Sequence, residues 1–188
     1  MSKKYQVIYA DPPWPEKGHG DKLGGYKITK LALDHYNVMT ADEIKALPIQ
    51  NLISPAGAIL FLWTPFRHIQ LALDVITAWG FTYKTIGFIW VKMTISEPIR
   101  PIYGPGFHTA SNAEPCLLAT SGRVPRPGGG HRPSVVLEPR REHSRKPDTV
   151  AERIEKTYKK MRKLELFSRY PRKGWDSWGN EIESDIKL

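Results

Sequence analysis

Asp11-Pro12-Pro13-Trp14 is the segment of this sequence whose residue types could do chemistry together. It follows directly on the apolar run Tyr5 to Ala10, and successive prolines cannot continue a strand or begin a long helix, so the chain must turn there. The prolines make such a turn rigid, which would place the Asp11 carboxylate and the Pro12 carbonyl in advance. Trp14 would add an aromatic face on which a nucleobase taken out of its helix can stack. The segment therefore offers a pair of hydrogen-bond acceptors beside a stacking surface.

An acceptor pair of this kind suits the exocyclic amine of a nucleobase as a methyl acceptor. The lone pair of that nitrogen is delocalised into the ring, so the amine is a poor nucleophile. Acceptors that bind both of its N–H groups would draw the nitrogen toward tetrahedral geometry and expose the lone pair. Asp11 would then orient and stabilise the amine rather than act as a strong base. The alternative is a simple strand-ending turn, because Asp and Pro are common turn residues.

Composition narrows the class of protein. The 188 residues suit one compact domain, which we expect to span residues 1–188, and 40% hydrophobic residues can fill its core. No apolar run approaches the roughly 20 residues of a membrane span and no signal-peptide stretch is visible, so we expect a cytoplasmic protein with no membrane partner. A single cysteine, Cys116, excludes an internal disulfide framework and a cysteine-rich zinc site. The formal net charge of +9 favours a polyanionic partner.

Strand-like and helix-like segments alternate along the chain, which predicts an α/β fold. Helical spacing or capping residues predict helices that begin after Thr40, near Ile69 and behind Pro147, the last with apolar positions as far as Met161. The tail from residue 176 to residue 188 gives no clear pattern. Runs rich in apolar and β-branched residues predict strands at 5–10, 57–63, 81–91, 115–120 and 164–167.

Three stretches of irregular composition, 15–37, 96–113 and 121–146, are predicted to be active-site and nucleic-acid-binding loops. The last is rich in arginine, and its Gly128-Gly129-Gly130 run would let it order on a phosphate backbone. A solvated basic loop is the alternative. The arginines that we expect to bind the substrate are Arg123, Arg126, Arg132, Arg140 and Arg141.

Beyond these properties, the sequence resembles the adenine-N6 methyltransferases related to the seventy-kilodalton catalytic subunit of the mRNA N6-adenosine methyltransferase. That family also has bacterial and phage DNA-modifying members. The Asp11-Pro12-Pro13-Trp14 turn matches the family signature, and other matches follow in family order over nearly the whole chain. They lie at residues 35–40, 61–64, 89–92, 112–118, 143–148, 163–169 and 178–181.

The resemblance implies a Rossmann-like methyltransferase fold with a mixed, mainly parallel sheet flanked by helices. The motif order looks like that of the β-class amino-methyltransferases, in which the catalytic turn comes first and the donor-binding strand last. The implied methyl donor is S-adenosylmethionine, with S-adenosylhomocysteine as product, and this methyl transfer needs no metal. The implied catalytic residues are Asp11, Pro12, Pro13 and Trp14, and the implied donor-binding residues are Asp11, Lys146, Glu165, Phe167, Arg169, Asn180 and Glu181.

Some positions are less settled by the resemblance. Glu181 stands where the animal enzyme has Gln, and no role is carried over to residues 170–173, where the two sequences differ. Tyr36 could line the target pocket or simply pack against a helix. Glu114 begins a predicted strand beneath a loop and could orient the site.

The resemblance implies transfer of a methyl group to adenine N6 in nucleic acid. DNA is favoured over RNA, because animal relatives that act on RNA use separate RNA-binding domains, and a bacterial or phage-infected cell is then the expected setting. A homodimer would be compatible with so short a chain. The alternatives are the same reaction on RNA, a non-catalytic nucleic-acid-binding partner subunit, and a protein-amide methyltransferase with a similar turn. The intact turn argues against the partner subunit, and the basic loops argue against the protein substrate.

Overall fold

The computed structural model describes residues 3–15, 39–104, 108–124, 127–128, 130, 132–141 and 145–188, and the strands of these residues form one seven-stranded sheet. The order across the sheet is β5-β3-β4-β2-β1-β6-β7. Among these strands, β4 alone runs antiparallel to its neighbours, so the sheet is mixed and mainly parallel, as predicted. The strands are β1 (Val7–Ala10), β2 (Ala58–Trp63), β3 (Thr82–Met93), β4 (Ala113–Ser121), β5 (Val135–Pro139), β6 (Lys163–Leu166) and β7 (Asp176–Trp178).

Helices cover both faces of the sheet. In β1, Ile8 and Ala10 point to a core shared with helices α1 (Ala41–Ala46) and α2 (Ile69–Ala78), whereas Val7 and Tyr9 point to a core shared with α3 (Asp148–Thr157). All six residues of β2 are buried, since its side chains alternate between the same two cores. This three-layer arrangement confirms the predicted Rossmann-like α/β fold.

The local signals for the first helices are confirmed. Thr40 and Glu43 form a reciprocal capping box: the Glu43 backbone N–H donates to Thr40 Oγ1, and the Thr40 N–H donates to Glu43 Oε2. Helix α2 ends at Ala78, and Gly80 follows in the left-handed region at φ +79°, a conformation that glycine adopts without a steric penalty.

Three sequence expectations about secondary structure are corrected. The 121–146 stretch is not all loop, because β5 lies inside it as an edge strand paired with β3; its short run among prolines and arginines buries Val136 while Val135 and Leu137 stay exposed. Helix α3 ends at Thr157, before Met161, because Tyr158 leaves the helical conformation at ψ +49°. The unpatterned tail contains β7, whose three residues owe their strand form to pairing with β6.

The other predicted loops are described in part. Within 96–113, backbone pairings join Met93 to Pro101 and Gly104 to Ser111, and Ala113 already begins β4. The 15–37 stretch lies outside the described residues apart from Pro15.

One edge of the sheet gathers the chain segments that carry the predicted chemistry. The carboxyl ends of β1 and β6 are neighbours there, since Ala10 pairs with Leu166. The antiparallel β4 begins at the same edge, where Cys116 pairs with Trp63 at the end of β2. Ligands of open α/β sheets bind at the carboxyl ends of the strands, so this edge is the expected position of a site.

Candidate active site

The Asp11-Pro12-Pro13-Trp14 turn leaves β1 at this edge and is held by its own hydrogen bonds. The Trp14 N–H donates to the Pro12 carbonyl at 2.8 Å, and the Met39 N–H donates to the Pro13 carbonyl at 3.2 Å. A carbonyl oxygen has a second lone pair, so Pro12 can accept another hydrogen bond. The turn therefore carries two potential acceptors on consecutive residues, the Asp11 carboxylate and the Pro12 carbonyl.

Trp14 lies in the core beneath the turn. Its side chain is 7% exposed, its Nε1–H donates to the Trp63 carbonyl at 2.9 Å, and its ring stacks on His68 with centroids 6.2 Å apart. These contacts anchor the turn against β2. The stacking of Trp14 on a base stays a prediction, and in this conformation His68 occupies one of its ring faces.

A chain of alternating charges crosses the site from Asp11. Lys146 Nζ lies 2.9 Å from Asp11 Oδ2 and 2.9 Å from Glu114 Oε1. The other oxygen of Glu114 lies 2.9 Å from Lys92 Nζ, and the Lys92 ammonium stands 5.0 Å from the centroid of the Trp90 ring. Lys146 and Glu114 are both about nine-tenths enclosed, so these charges are balanced by each other rather than by water.

The shared ammonium affects the two carboxylates differently. Burial raises the pKa of Asp11, and the Glu114 charge raises it further, against the lowering effect of Lys146. Burial alone would also raise the pKa of Glu114, but Lys146 and Lys92 together hold it below its usual range. The pKa of Lys146 is raised above its usual value, because Asp11 and Glu114 outweigh the effect of burial. Glu114 is thus the stronger acid, and Asp11 is the carboxylate better able to accept a proton.

A cleft beside Asp11 brings together most of the residues that the resemblance assigns to the methyl donor. Glu165 is the last but one residue of β6, and Phe167 follows the strand at φ +60°, an uncommon conformation for a residue other than glycine. The Phe167 ring packs edge-on against Trp178 with centroids 5.3 Å apart, which fixes its position. The cleft is lined, among others, by Asp11, Lys146, Glu165, Phe167 and Arg169.

The last of the predicted donor-binding residues lie further out. Asn180 and Glu181 are exposed and follow β7, outside the lining of the cleft. Glu181 is nevertheless connected to it, since its Oε1 lies 3.5 Å from Arg169 Nε.

Sequence reasoning missed Arg172 and Asp148, which also line the cleft. The Arg172 Nε–H donates to Glu165 Oε2 at 3.1 Å, and another guanidinium nitrogen lies 3.4 Å from Asp148 Oδ1. Asp148 is also paired with Arg141 and with Arg145, the latter at 3.0 Å. Arg172 was missed because it stands where the chain departs from the animal relatives, and charge alone did not single it out.

The predicted substrate-binding arginines divide between the two edges of the sheet. Arg140 and Arg141 follow β5, whose last residue Pro139 pairs with Met93 at the site edge. Arg123 lies at the opposite edge, because Ser121 at the end of the antiparallel β4 pairs with Ala58 at the start of β2, roughly 15 Å along the strands from the level of Asp11. Arg132 lies three residues before β5, whose first residue Val135 pairs with Ile89 near the site end of β3. Arg123 therefore lies away from the Asp11 turn, the binding of these arginines to the substrate stays a prediction, and Arg126 and Tyr36 fall outside the described residues.

The described residues were also compared with the features of metal sites and of membrane-spanning helices. Across the described ranges, no group of His, Cys, Asp and Glu side chains is arranged to hold a metal ion. No helix in the described part of the chain is long and apolar enough to cross a bilayer.

The sheet order and the site at its carboxyl edge define the chain as a Rossmann-like methyltransferase. The MT-A70 family profile matches residues 5–181, and the chain belongs to that family.

Individual relatives agree with this assignment. The chain is 34% identical over 195 residues to the type II methyltransferase M.MunI of Mycoplasma sp, covering 96% of this chain and 78% of the relative. It is 30% identical over 181 residues to an N(6)-adenosine-methyltransferase MT-A70-like protein of Arabidopsis thaliana, and 28% identical over 182 residues to the human N(6)-adenosine-methyltransferase catalytic subunit METTL3. These matches cover 95% and 96% of this chain but 24% and 28% of the plant and human proteins.

Proposed function

We propose that this MT-A70 methyltransferase transfers a methyl group from S-adenosylmethionine to the N6 amine of adenine in DNA, with residues 1–188 as one catalytic domain. The observation that carries the proposal is the Asp11-Pro12 acceptor pair at the mouth of the donor cleft, with Asp11 held by Lys146 at 2.9 Å. DNA is favoured because the type II methyltransferase M.MunI matches over 78% of its own length, whereas the plant and human relatives match over 24% and 28%.

The chemistry of the cleft fits the methyl donor. Lys146 supplies a cation for the carboxylate of the methionine moiety, and Glu165 supplies acceptors for ribose hydroxyls. The carboxylate of Glu165 uses Oε2 to bind Arg172, and its Oε1 receives no hydrogen bond from any residue that the structure describes. Phe167 offers an apolar surface for the adenine ring. When bound, S-adenosylmethionine supplies an electrophilic methyl group on a positively charged sulfur.

The residues of the turn would act on the acceptor base. Asp11 and the Pro12 carbonyl accept the N–H groups of the adenine amine and direct its lone pair toward the donor cleft. As the new bond forms, the amine becomes acidic, and Asp11, whose pKa is raised by burial, can hold the proton that leaves. Lys146 keeps the carboxylate in place and balances its charge before the base arrives.

A paired-substrate assay tests this proposal. Matched DNA and RNA oligonucleotides with the same adenine contexts are incubated with labelled donor and the wild-type chain, the Asp11→Asn variant or the control Asp74→Asn. Asp74 is an exposed helix residue away from the cleft. We expect wild type and the control to methylate DNA faster than RNA, and Asp11→Asn to be slower by at least a hundredfold.

Each comparison in this assay has an outcome that would contradict part of the proposal. Faster methylation of the RNA oligonucleotide would replace the DNA assignment with the RNA alternative. Unchanged turnover in Asp11→Asn would remove Asp11 from the reaction. Donor binding without methylation of either oligonucleotide would favour the non-catalytic partner subunit.

A further inference from the structure

Arg172 connects two parts of the donor cleft that are far apart in sequence. Its Nε–H donates to Glu165 Oε2 at 3.1 Å, and its Nη2 lies 3.4 Å from Asp148 Oδ1. Glu165 belongs to β6, whereas Asp148 begins α3 and lies two residues after Lys146. The guanidinium therefore links the strand that carries Glu165 to the segment that carries Lys146.

The geometry suits arginine in particular. A planar guanidinium presents several nitrogens in a fixed fork, so separate nitrogens of one rigid group can bind two carboxylates, whereas a lysine offers a single ammonium on a flexible stem. All three side chains are more than 70% enclosed, so these ion pairs are less screened than those on the surface.

The two carboxylates do not depend on Arg172 equally. Asp148 is also paired with Arg141 and Arg145. Glu165, within the described residues, has Arg172 as its ion-pair partner. Loss of the guanidinium would leave Asp148 with other cations, but the enclosed Glu165 would lose the ion pair that the described residues give it.

We propose that Arg172 is a positioning residue for the methyl donor, which holds Glu165 in the cleft and fixes its distance from the Lys146 segment. The inference rests on the proposed use of S-adenosylmethionine. Arg172 uses Oε2 of Glu165, so Oε1 remains for the ribose hydroxyls, while Lys146 remains at the carboxylate end of the same cleft. The Arg172 side chain thus sets the distance between the two ends of the donor site.

The charges around Glu165 predict how the effect of removing Arg172 on donor binding depends on pH. Burial raises the pKa of Glu165, Asp11 and Asp148 raise it further, and Arg172 acts in the opposite direction. Tyr9 also lines this part of the cleft and is neutral, because burial raises its pKa well above 10.0. Removal of Arg172 would therefore raise the pKa of Glu165, and a protonated Glu165 loses acceptor capacity for the ribose.

The test is calorimetric titration of S-adenosylhomocysteine into the wild-type chain, Arg172→Met, Arg172→Lys and the exposed control Lys173→Met. We expect Arg172→Met to raise the dissociation constant about tenfold at neutral pH, Arg172→Lys to lie between it and wild type, and Lys173→Met to match wild type. The loss of affinity for S-adenosylhomocysteine in Arg172→Met should grow as the pH is lowered from about 8 to about 6. The thermal midpoint of each variant is measured alongside to show that it is folded.

A double variant separates positioning from general stabilisation. If Arg172 acts through Glu165, then Arg172→Met combined with Glu165→Gln should bind S-adenosylhomocysteine about as weakly as Glu165→Gln alone. Fully additive losses, or an unchanged dissociation constant in folded Arg172→Met, would overturn the role of Arg172 while leaving the proposed function intact. Failure of the wild-type chain to bind S-adenosylhomocysteine would overturn both.

Discussion

Lys146 places its ammonium 2.9 Å from Asp11 Oδ2 and also 2.9 Å from Glu114 Oε1, so one cation serves a carboxylate from the turn after β1 and a carboxylate from β4. The antiparallel direction of β4 makes this possible, because its first residues lie at the edge where β1 ends. Glu114 also binds Lys92 at 2.9 Å, so the position of Lys146 is determined in part from outside the Asp11-Pro12-Pro13-Trp14 turn.

The first prediction concerns the charge of Glu114. Glu114→Gln removes a negative charge that raises the pKa of Asp11, so the pKa of Asp11 should fall. We expect the acid limb of the pH profile of kcat to move to lower pH, and kcat to fall about tenfold because Lys146 loses a charge-assisted hydrogen bond and is held less firmly. Methylation rates between about pH 5 and pH 9 check this, with the exposed Glu183→Gln as control. An acid limb that moves to higher pH would contradict the proposed coupling.

The second prediction concerns Asp148 and stability. Partial burial alone would raise the pKa of Asp148, but Arg141, Arg145 and Arg172 together hold it below its usual value. A lowered pKa in the folded state stabilises the fold above the unfolded pKa of about 3.9, and this contribution is lost as the pH falls through the folded value. Asp148→Asn should therefore lower the free energy of unfolding by about 1 kcal/mol at pH 7. The free energy of unfolding of this variant should also change less with pH between pH 5 and pH 2.

Urea unfolding of the wild-type chain and Asp148→Asn at a series of pH values measures this difference. Glu183→Gln, at an exposed position of the tail, serves as the control substitution. Parallel curves for wild type and Asp148→Asn would show that the arginines do not stabilise the folded state through Asp148.

The third prediction concerns Trp14. Because the ring is buried in the core, Trp14→Ala should lower the free energy of unfolding by about 3–5 kcal/mol. Trp14→Phe keeps an aromatic ring but loses the hydrogen bond to the Trp63 carbonyl, so it should lower the free energy of unfolding by about 1–3 kcal/mol. Chemical denaturation of the two variants checks the order. A loss below about 1 kcal/mol in Trp14→Ala would show that the turn is not anchored by this side chain.

The fourth prediction separates the two edges of the sheet. Arg140 lies at the site edge and Arg123 at the far edge, and both are exposed. Arg140→Gln should weaken DNA binding and reduce the salt dependence of binding by about one phosphate contact, whereas Arg123→Gln should change neither. Fluorescence anisotropy at several salt concentrations gives both quantities. Equal losses in the two variants would place nucleic acid along both edges.

Much of the fold followed from local patterns. The continuous apolar run of β2, the capping box at Thr40 and the glycine after α2 each reflect interactions within a few residues, which a sequence displays directly. β5 and β7 were not foreseen, because five and three residues form strands there only through pairing with β3 and β6.

The residues of the site likewise fall into those that sequence motifs predicted and those that only the fold brings together. Asp11, Lys146, Glu165, Phe167 and Arg169 stood in motifs, and the cleft gathers them. The contact between Lys146 and Glu114 and the link from Arg172 to Asp148 depend on how distant segments meet at the sheet edge. The direction of β4 likewise decided that Arg123 lies away from Asp11. Long-range placement of this kind has no local signature in a single sequence.

The most direct measurement is the mapping of N6-methyladenine in DNA from cells that express the wild-type chain, compared with cells that express Asp11→Asn. We predict N6-methyladenine at a recurrent sequence context with the wild-type chain and none above background with Asp11→Asn. Equal methylation in both samples, or no N6-methyladenine in DNA while RNA from the same cells carries it, would contradict the account.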